Sequence, residues 1–246
     1  MLAQLPDGFT ALVTGASGGI GRAVVDTLLH SERPGRVIAV SRSPSAHDDP
    51  RFESLALDVT ESAGLEGLAK ALAGEPVHLL FNAIGILHDD AAGIGPEKKL
   101  DDLDADAMSR VYHINAVTPA LLLKALQPSL KGRHPAVIAS LSARVGSIGD
   151  NRMGGWYAYR ASKAAHNMLM KTAAVELRRL NKQISVACLH PGTTDTPLSK
   201  PFQARVPADK LFSPEFVAER LLTVLETCRP EQSGAFLDWA GESVEW

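Results

Sequence analysis

Short aliphatic runs alternate with longer amphipathic ones along the whole of this 246-residue chain, and that rhythm restricts its fold more than any other feature. The strand-like runs are residues 10–14, 36–41, 54–57, 77–81, 136–142, 184–190 and 235–238. Helix-period stretches lie near 20–30, 62–73, 105–126, 157–180 and 214–227. Strands that are apolar throughout and separated by helices predict a parallel sheet covered on both faces. The expectation is one α/β domain spanning 1–246, a Rossmann-type doubly wound sheet with ligands outside the carboxyl ends of its strands. The segments 88–104, 146–156 and 193–213 stand outside the rhythm, and each follows a strand, so they are candidate site walls.

Composition narrows the class of partner. With 25 basic and 28 acidic side chains the net charge is −3, which argues against a nucleic-acid footprint. Cys188 and Cys228 are too far apart in sequence for a zinc or redox pair. The amino terminus lacks a secretory pattern and no apolar run approaches the roughly 20 residues of a membrane helix, so a cytoplasmic protein without a membrane partner is expected. Eight histidines form no close ligand pair, and no metal is expected.

The first strand runs into Thr14-Gly15-Ala16-Ser17-Gly18-Gly19-Ile20-Gly21 and then a helix. The spacing is G-x-x-x-G-x-G, neither G-x-G-x-x-G nor a P-loop. Glycines let the backbone approach a pyrophosphate, and the helix amino end offers unpaired N–H groups. Gly15, Ser17, Gly19, Ile20 and Gly21 are therefore candidate phosphate contacts; a turn that merely packs helix on strand is the lesser reading. The second strand ends at Ser41-Arg42, without the acidic residue that holds free ribose hydroxyls in NAD-selective sites. Arg42 can pair with a 2′-phosphate, which predicts NADP(H) over NAD(H), against the plainer reading of a solvated loop charge. Asp58 and Val59 end the third strand; the Asp58 carboxylate can meet an adenine amino group or face the next helix, and the two are not exclusive.

Tyr159 and Lys163 lie four apart on one helix face. A free phenol titrates near 10. An ammonium ~4 Å away is worth on the order of 4 kcal/mol at an effective dielectric of about 20, an upper scale of roughly three pKa units. Tyr159 is thus a candidate general acid/base working near neutrality.

The glycine turn, Asn82-Ala83-Ile84-Gly85, Asn115, Tyr159-Arg160-Ala161-Ser162-Lys163 and Pro191-Gly192 together resemble, in order, the short-chain dehydrogenase/reductases, over essentially the whole chain. The stretch Ser142-Ala143-Arg144-Val145-Gly146-Ser147-Ile148 and Gly154-Gly155-Trp156-Tyr157 is similar to the C-factor/sniffer-type carbonyl reductase branch. The resemblance implies that Tyr159 protonates a carbonyl oxygen while Lys163 lowers its pKa and holds the nicotinamide ribose. It implies further that a serine at the end of the fifth strand bonds the carbonyl and that Asn115 holds a relay water. Asn82, Ala83 and Gly85 would lie against the cofactor, Pro191 and Gly192 would border the nicotinamide, and Thr194 and Thr196 would be neighbours.

Two residues allow a separate argument. Pro119 has no N–H, so the Asn115 carbonyl four residues earlier loses its helical partner and is free to accept from a water. The family commonly shows two adjacent serines here; aligned on Gly146, the serine position falls on Ala143. Ser142 lies nearest the end of the strand, and a bulge would turn it inward; Ser140 and Ser147 remain alternatives.

The expected activity is interconversion of a small-molecule carbonyl and alcohol with NADP(H), the segment 193–213 closing as a lid. Leucines and alanines on several faces of the two long helices, with the family's habit, imply a homodimer or homotetramer. The competing reading is a cofactor-binding regulatory or signalling protein, favoured by Ala143; a nucleotide-sugar enzyme is poorly supported by the chain length.

Overall fold

A computed structural model describes residues 1–246, the side chain of Arg205 excepted. Strands β1 (Phe9–Thr14), β2 (Pro34–Ser41), β3 (Phe52–Ala56), β4 (Leu79–Asn82), β5 (Ala136–Leu141) and β6 (Ile184–His190) form one parallel sheet. A short parallel ladder joins β7 (Thr193–Thr194) to β8 (Leu211–Phe212) apart from it. The last strand, β9 (Ala235–Asp238), completes the sheet in the order β3-β2-β1-β4-β5-β6-β9. This is the doubly wound, Rossmann-like arrangement. The order reverses between β1 and β4, and the crevice at such a switch point is where these sheets take ligands.

Both faces are covered, by α1 (Gly19–His30), α2 (Ser62–Leu72), α3 (Ala105–Tyr112), α4 (Thr118–Leu130), α5 (Tyr157–Leu180) and α6 (Pro214–Thr227). Alternate residues of one strand serve the two layers: Ala11 and Val13 pack with Val24 and Leu28 of α1 and Leu221 of α6. Leu12 between them packs in the layer of Leu68, Leu122, Leu126 and Met170. Hence the strands read as apolar throughout instead of alternating. No helix among the described residues is long and apolar enough to cross a membrane.

The stretch expected as one helix over 105–126 is interrupted and longer. Between α3 and α4 lies a π turn, His113–Val117, closed by the Thr118 amide on the His113 carbonyl. Pro119, which has no N–H to give, sits in the first turn of α4, where none is required. The extra residue of a π turn rotates α4 relative to α3, and Asn115 within the turn is wholly buried. At the other end Pro128 does not stop the helix, because Leu130, one turn beyond Leu126, also buries in the second layer.

Strand ends shift by one or two residues. β2 starts at Pro34, which pairs with Phe9 across a register shift. β3 lies slightly upstream of its expected place, with Phe52 opposite Val37. β4 begins at Leu79 and takes in Asn82; the Val77 amide bonds instead to Ser129. β5 ends at Leu141, and its pairing with β6 is regular throughout, so the expected bulge is absent there. The segment 193–213 is tied at its base by β7 and β8 and by the Asp195 amide on the Phe212 carbonyl at 2.8 Å.

Candidate active site

The β1–α1 turn is packed main chain on main chain. Gly15 has φ +72°, and a Cβ there would sit 2.9 Å from the Ala83 carbonyl carbon just past β4. A Cβ on Gly21 would run into the Gly15 carbonyl oxygen. Only glycine admits this approach. Gly18 caps α1 without a side chain, so the amino end of that helix is left to an outside acceptor. Arg42 is exposed at the rim of the same crevice, while Ser41 turns its hydroxyl back to the Ser43 carbonyl at 2.6 Å. Burial works to raise the Asp58 pKa, but hydrogen bonds from the Thr60 hydroxyl (2.6 Å) and amide, with the Arg42 charge, bring it below the usual range.

Two buried asparagines hold the sheet end in register. Asn82 accepts from the Thr14 hydroxyl and donates to Ser140 Oγ, both at 2.8 Å, tying β1, β4 and β5 together. Asn115 grips the Ile86 main chain from both sides, its Oδ1 accepting from the amide and its Nδ2 donating to the carbonyl at 2.8 Å each. Its Nδ2 also reaches Ser162 Oγ at 3.0 Å. The Asn115 side chain therefore positions the loop after β4, and its main-chain carbonyl faces the imidazole of His166.

Tyr159 and Lys163 face one another near the start of α5, the Lys163 ammonium 5.8 Å from the phenol ring centroid. Lys163 Nζ donates to the Leu141 carbonyl at 2.9 Å. Both are buried, at 8% and 3% exposure. Burial pushes the phenol above its ordinary value and Lys163 down to about 8. The expected lowering of Tyr159 is therefore not a property of the chain by itself: burial alone sets the direction of its shift. Burial and the Lys163 charge push His166 down to about 3, and burial takes the Cys188 thiol up to about 12.

Tyr159 and Lys163 line a cavity of about 730 Å³, with His166 and Cys188 behind its wall. Of the residues singled out from the sequence, Gly19, Ile20, Gly21, Arg42, Ala83, Gly85, Ser142, Tyr159, Lys163, Pro191, Gly192, Thr194 and Thr196 border it. Gly15, Ser17, Ser41, Asp58, Val59, Asn82 and Asn115 do not; several of them act from behind, as Gly15, Asn82 and Asn115 illustrate. The Thr194 hydroxyl is buried at the wall without a partner among the described residues. A glycine cradle, an open helix end, a rim arginine and an unpaired hydroxyl in one crevice fit a phosphorylated dinucleotide.

Comparison with known proteins decides the family. Residues 9–206 match the family model described as short chain dehydrogenase. The chain belongs to the short-chain dehydrogenases. It is 32% identical over 241 residues to a 1-hydroxy-2-glutathionyl-2-methyl-3-butene dehydrogenase of Rhodococcus sp. (strain AD45), covering 96% of this chain and 99% of that one. The C-signal protein of Myxococcus xanthus is 34% identical over 171 residues, 70% of this chain and 93% of its own. The crystal structure of an NADPH-bound carbonyl reductase from chicken fatty liver superposes with a TM-score of 0.84 at 29% identity, covering 98% and 100% of the two chains.

At the end of β5 this short-chain dehydrogenase carries Ser142 followed by Ala143. Ser142 borders the cavity, but its hydroxyl donates to Asn167 Oδ1 on α5 at 2.6 Å. Strand alternation explains the direction: Ser140 and Ser142 share the face that packs on α5, and Ala143 is the next residue, on the cavity wall. Asn167 Nδ2 is buried without a partner among the described residues. Turning that amide over would let Nδ2 donate to Ser142 Oγ and release the hydroxyl hydrogen toward the cavity. Ser140 Oγ accepts from Asn82 and Ser147 Oγ from the Asp150 amide, and neither residue borders the cavity. From the sequence His190, at the end of the sixth strand beside Pro191, reads as no more than a cap of that end; in the structure it borders the cavity with Nδ1 buried and without a partner among the described residues, and burial lowers it to about 4.

Proposed function

We propose that this short-chain dehydrogenase uses NADP(H) to interconvert a carbonyl and an alcohol, with Tyr159 as the general acid and base. One observation carries the reading: a buried phenol and lysine face each other in the cavity that runs to the glycine cradle. When bound, the nicotinamide supplies or accepts the hydride. Gly19, Ile20 and Gly21 would hold the pyrophosphate with main chain, Arg42 would pair with the 2′-phosphate, and Thr194, Thr196, Pro191 and Gly192 would hold the nicotinamide. Burial keeps the Tyr159 proton in place until a carbonyl oxygen reaches it, the state a general acid needs. Lys163, buried beside it, then stabilises the phenolate. Ser142 holds the carbonyl oxygen with Asn167 turned to donate to it, and Asn115 fixes the loop that carries Gly85 and Ile86.

The names of the Rhodococcus dehydrogenase and the chicken reductase support alcohol–carbonyl chemistry, and NADPH in the latter supports the cofactor. Segment 193–213 is proposed as a lid: His88 Nε2 lies 3.2 Å from the Pro197 carbonyl across the cavity mouth. Assembly as a homodimer or homotetramer through α4 and α5 is supported by exposed Met168, Val175 and Leu180 on α5. The engaged hydroxyl of Ser142, with the Myxococcus relative, favours one alternative: a cofactor-binding signalling protein with little turnover.

The test is oxidation of NADPH against ketones, aldehydes and quinones. Turnover is expected for the wild type and a loss of about a thousandfold in Tyr159→Phe with cofactor affinity retained. Cofactor binding without turnover on every compound selects the signalling reading.

A further inference from the structure

The residue just before the catalytic helix is held in a conformation its side chain disfavours. Trp156, the cap of α5, has φ 53° and ψ 45°, and it comes after Gly154 and Gly155 at φ 65° and 64°. Three successive left-handed residues are a sharp reversal, and for a large aromatic residue the last of them is strained. Such strain persists only where neighbours over-determine it. Here Glu97, from the segment between β4 and α3, does so on one side. Its carbonyl accepts from the Trp156 amide at 2.5 Å, and its carboxylate accepts from the Ala158 amide at 3.2 Å. Glu97 is only 6% exposed, so this carboxylate is buried at the amino end of α5, where the helix dipole favours a negative charge. On the other side Arg160 Nε donates to the Gly155 carbonyl at 2.9 Å.

The reversal places the indole in the cavity wall. Its ring lies edge-on to Tyr159 at 6.2 Å and tilted against Phe202 of the 193–213 segment at 5.1 Å. His88 extends the row, 6.0 Å from Phe202. A continuous aromatic wall thus begins beside the phenol and crosses to the far side of the mouth. Flat unsaturated groups gain from offset and edge contacts with such rings, while a short alkyl group gains little.

We infer that Trp156, fixed by the Glu97 clamp, determines specificity: it selects carbonyl compounds bearing an aromatic ring beside the reacting carbon over small aliphatic ones. Glu97 is a positioning residue, acting through Trp156 and the start of α5. The inference rests on the carbonyl-reductase reading above and names its substrate class.

The experiment compares acetophenone with propanal as substrates and measures acetophenone binding to the NADP-loaded protein by calorimetry. Trp156→Leu is expected to lower kcat/KM for acetophenone about tenfold and weaken its binding to match, with propanal changed less than twofold. Glu97→Gln keeps one carboxamide oxygen for the Ala158 amide and is expected to retain most of the preference; Glu97→Ala is expected to lose it. Thermal unfolding of each variant identifies loss of folding, and Trp156→Phe, which keeps an aromatic ring, is expected to recover acetophenone turnover. Equal losses on both substrates, or unchanged preference in Trp156→Leu, overturn the inference. A wild type that binds acetophenone through Trp156 but reduces neither compound overturns the carbonyl-reductase reading and leaves the binding assignment standing. Absence of acetophenone binding overturns the assignment itself.

Discussion

Around Gly21 the cavity wall is main chain, backed by Gly15 in an approach that leaves no space for a Cβ; around Tyr159 and Lys163 it is side chain, and burial shifts the pKa of the ionisable groups in and behind it. The two regions meet at one crevice and work differently. In the proposed function the first would recognise a dinucleotide by shape and by main-chain amides, a means that tolerates few substitutions and depends little on pH. The second holds phenol, amine and imidazole away from water, so its proposed chemistry and its contribution to stability both depend on protonation.

The sharpest way to break that contrast is Gly21→Ala. The added methyl would meet the Gly15 carbonyl oxygen, so turn and helix end must separate. Strain of about 3 kcal/mol corresponds to roughly a hundredfold weaker NADPH binding. Calorimetric titration reads it directly. Affinity within twofold of wild type would show that the cradle is softer than its packing indicates.

This region was legible because its requirements fall on residue types. A glycine cluster after an apolar run announces close main-chain approach; at Gly15 and Gly21 the main chain approached is the protein's own. The same holds for the sheet: alternate residues of β1 serve two helical layers, and a run apolar at every position is the only pattern that satisfies both. The catalytic side was legible only in part. The spacing of Tyr159 and Lys163 gave a shared face, but their net electrostatics depend on how much water surrounds them, which spacing does not encode. The π turn at His113–Val117 escaped because local sequence sets no register there; Pro119 marked the place without revealing the extra residue. Ser142 and Asn167 are 25 positions apart, and their hydrogen bond is a product of strand–helix packing.

Arg42 is the exception on the main-chain side, a side chain at the rim on which cofactor choice is proposed to depend. Arg42→Asp is expected to weaken NADPH about tenfold, the scale of one hydrogen bond to a charged group, while NADH binding holds or improves. Parallel titrations of the two cofactors check this. Equal losses for both would remove Arg42 from selectivity and leave it as a solvated charge.

The smallest effect concerns stability and separates the two regions by pH. His190 and His166 are held by burial at about 4 and about 3, below the ordinary histidine value of 6.5. Between those limits the unfolded chain binds more protons than the folded one, so stability rises with pH there. Their contribution is complete above about 6.5 and is lost as the pH falls toward 4. Other groups titrate in the same window, so the difference between wild type and a variant is the useful quantity. His190→Asn removes one titrating group while keeping a polar side chain. Relative to wild type, its unfolding midpoint is expected to gain about 5 °C between pH 7 and pH 4. Gly21→Ala, which alters only the main-chain region, is expected to keep the wild-type slope even where its midpoint is lower. If His190→Asn runs parallel to wild type across that range, the imidazole is better solvated than its place beside Pro191 implies, and the catalytic side owes less to exclusion of water than the contrast requires.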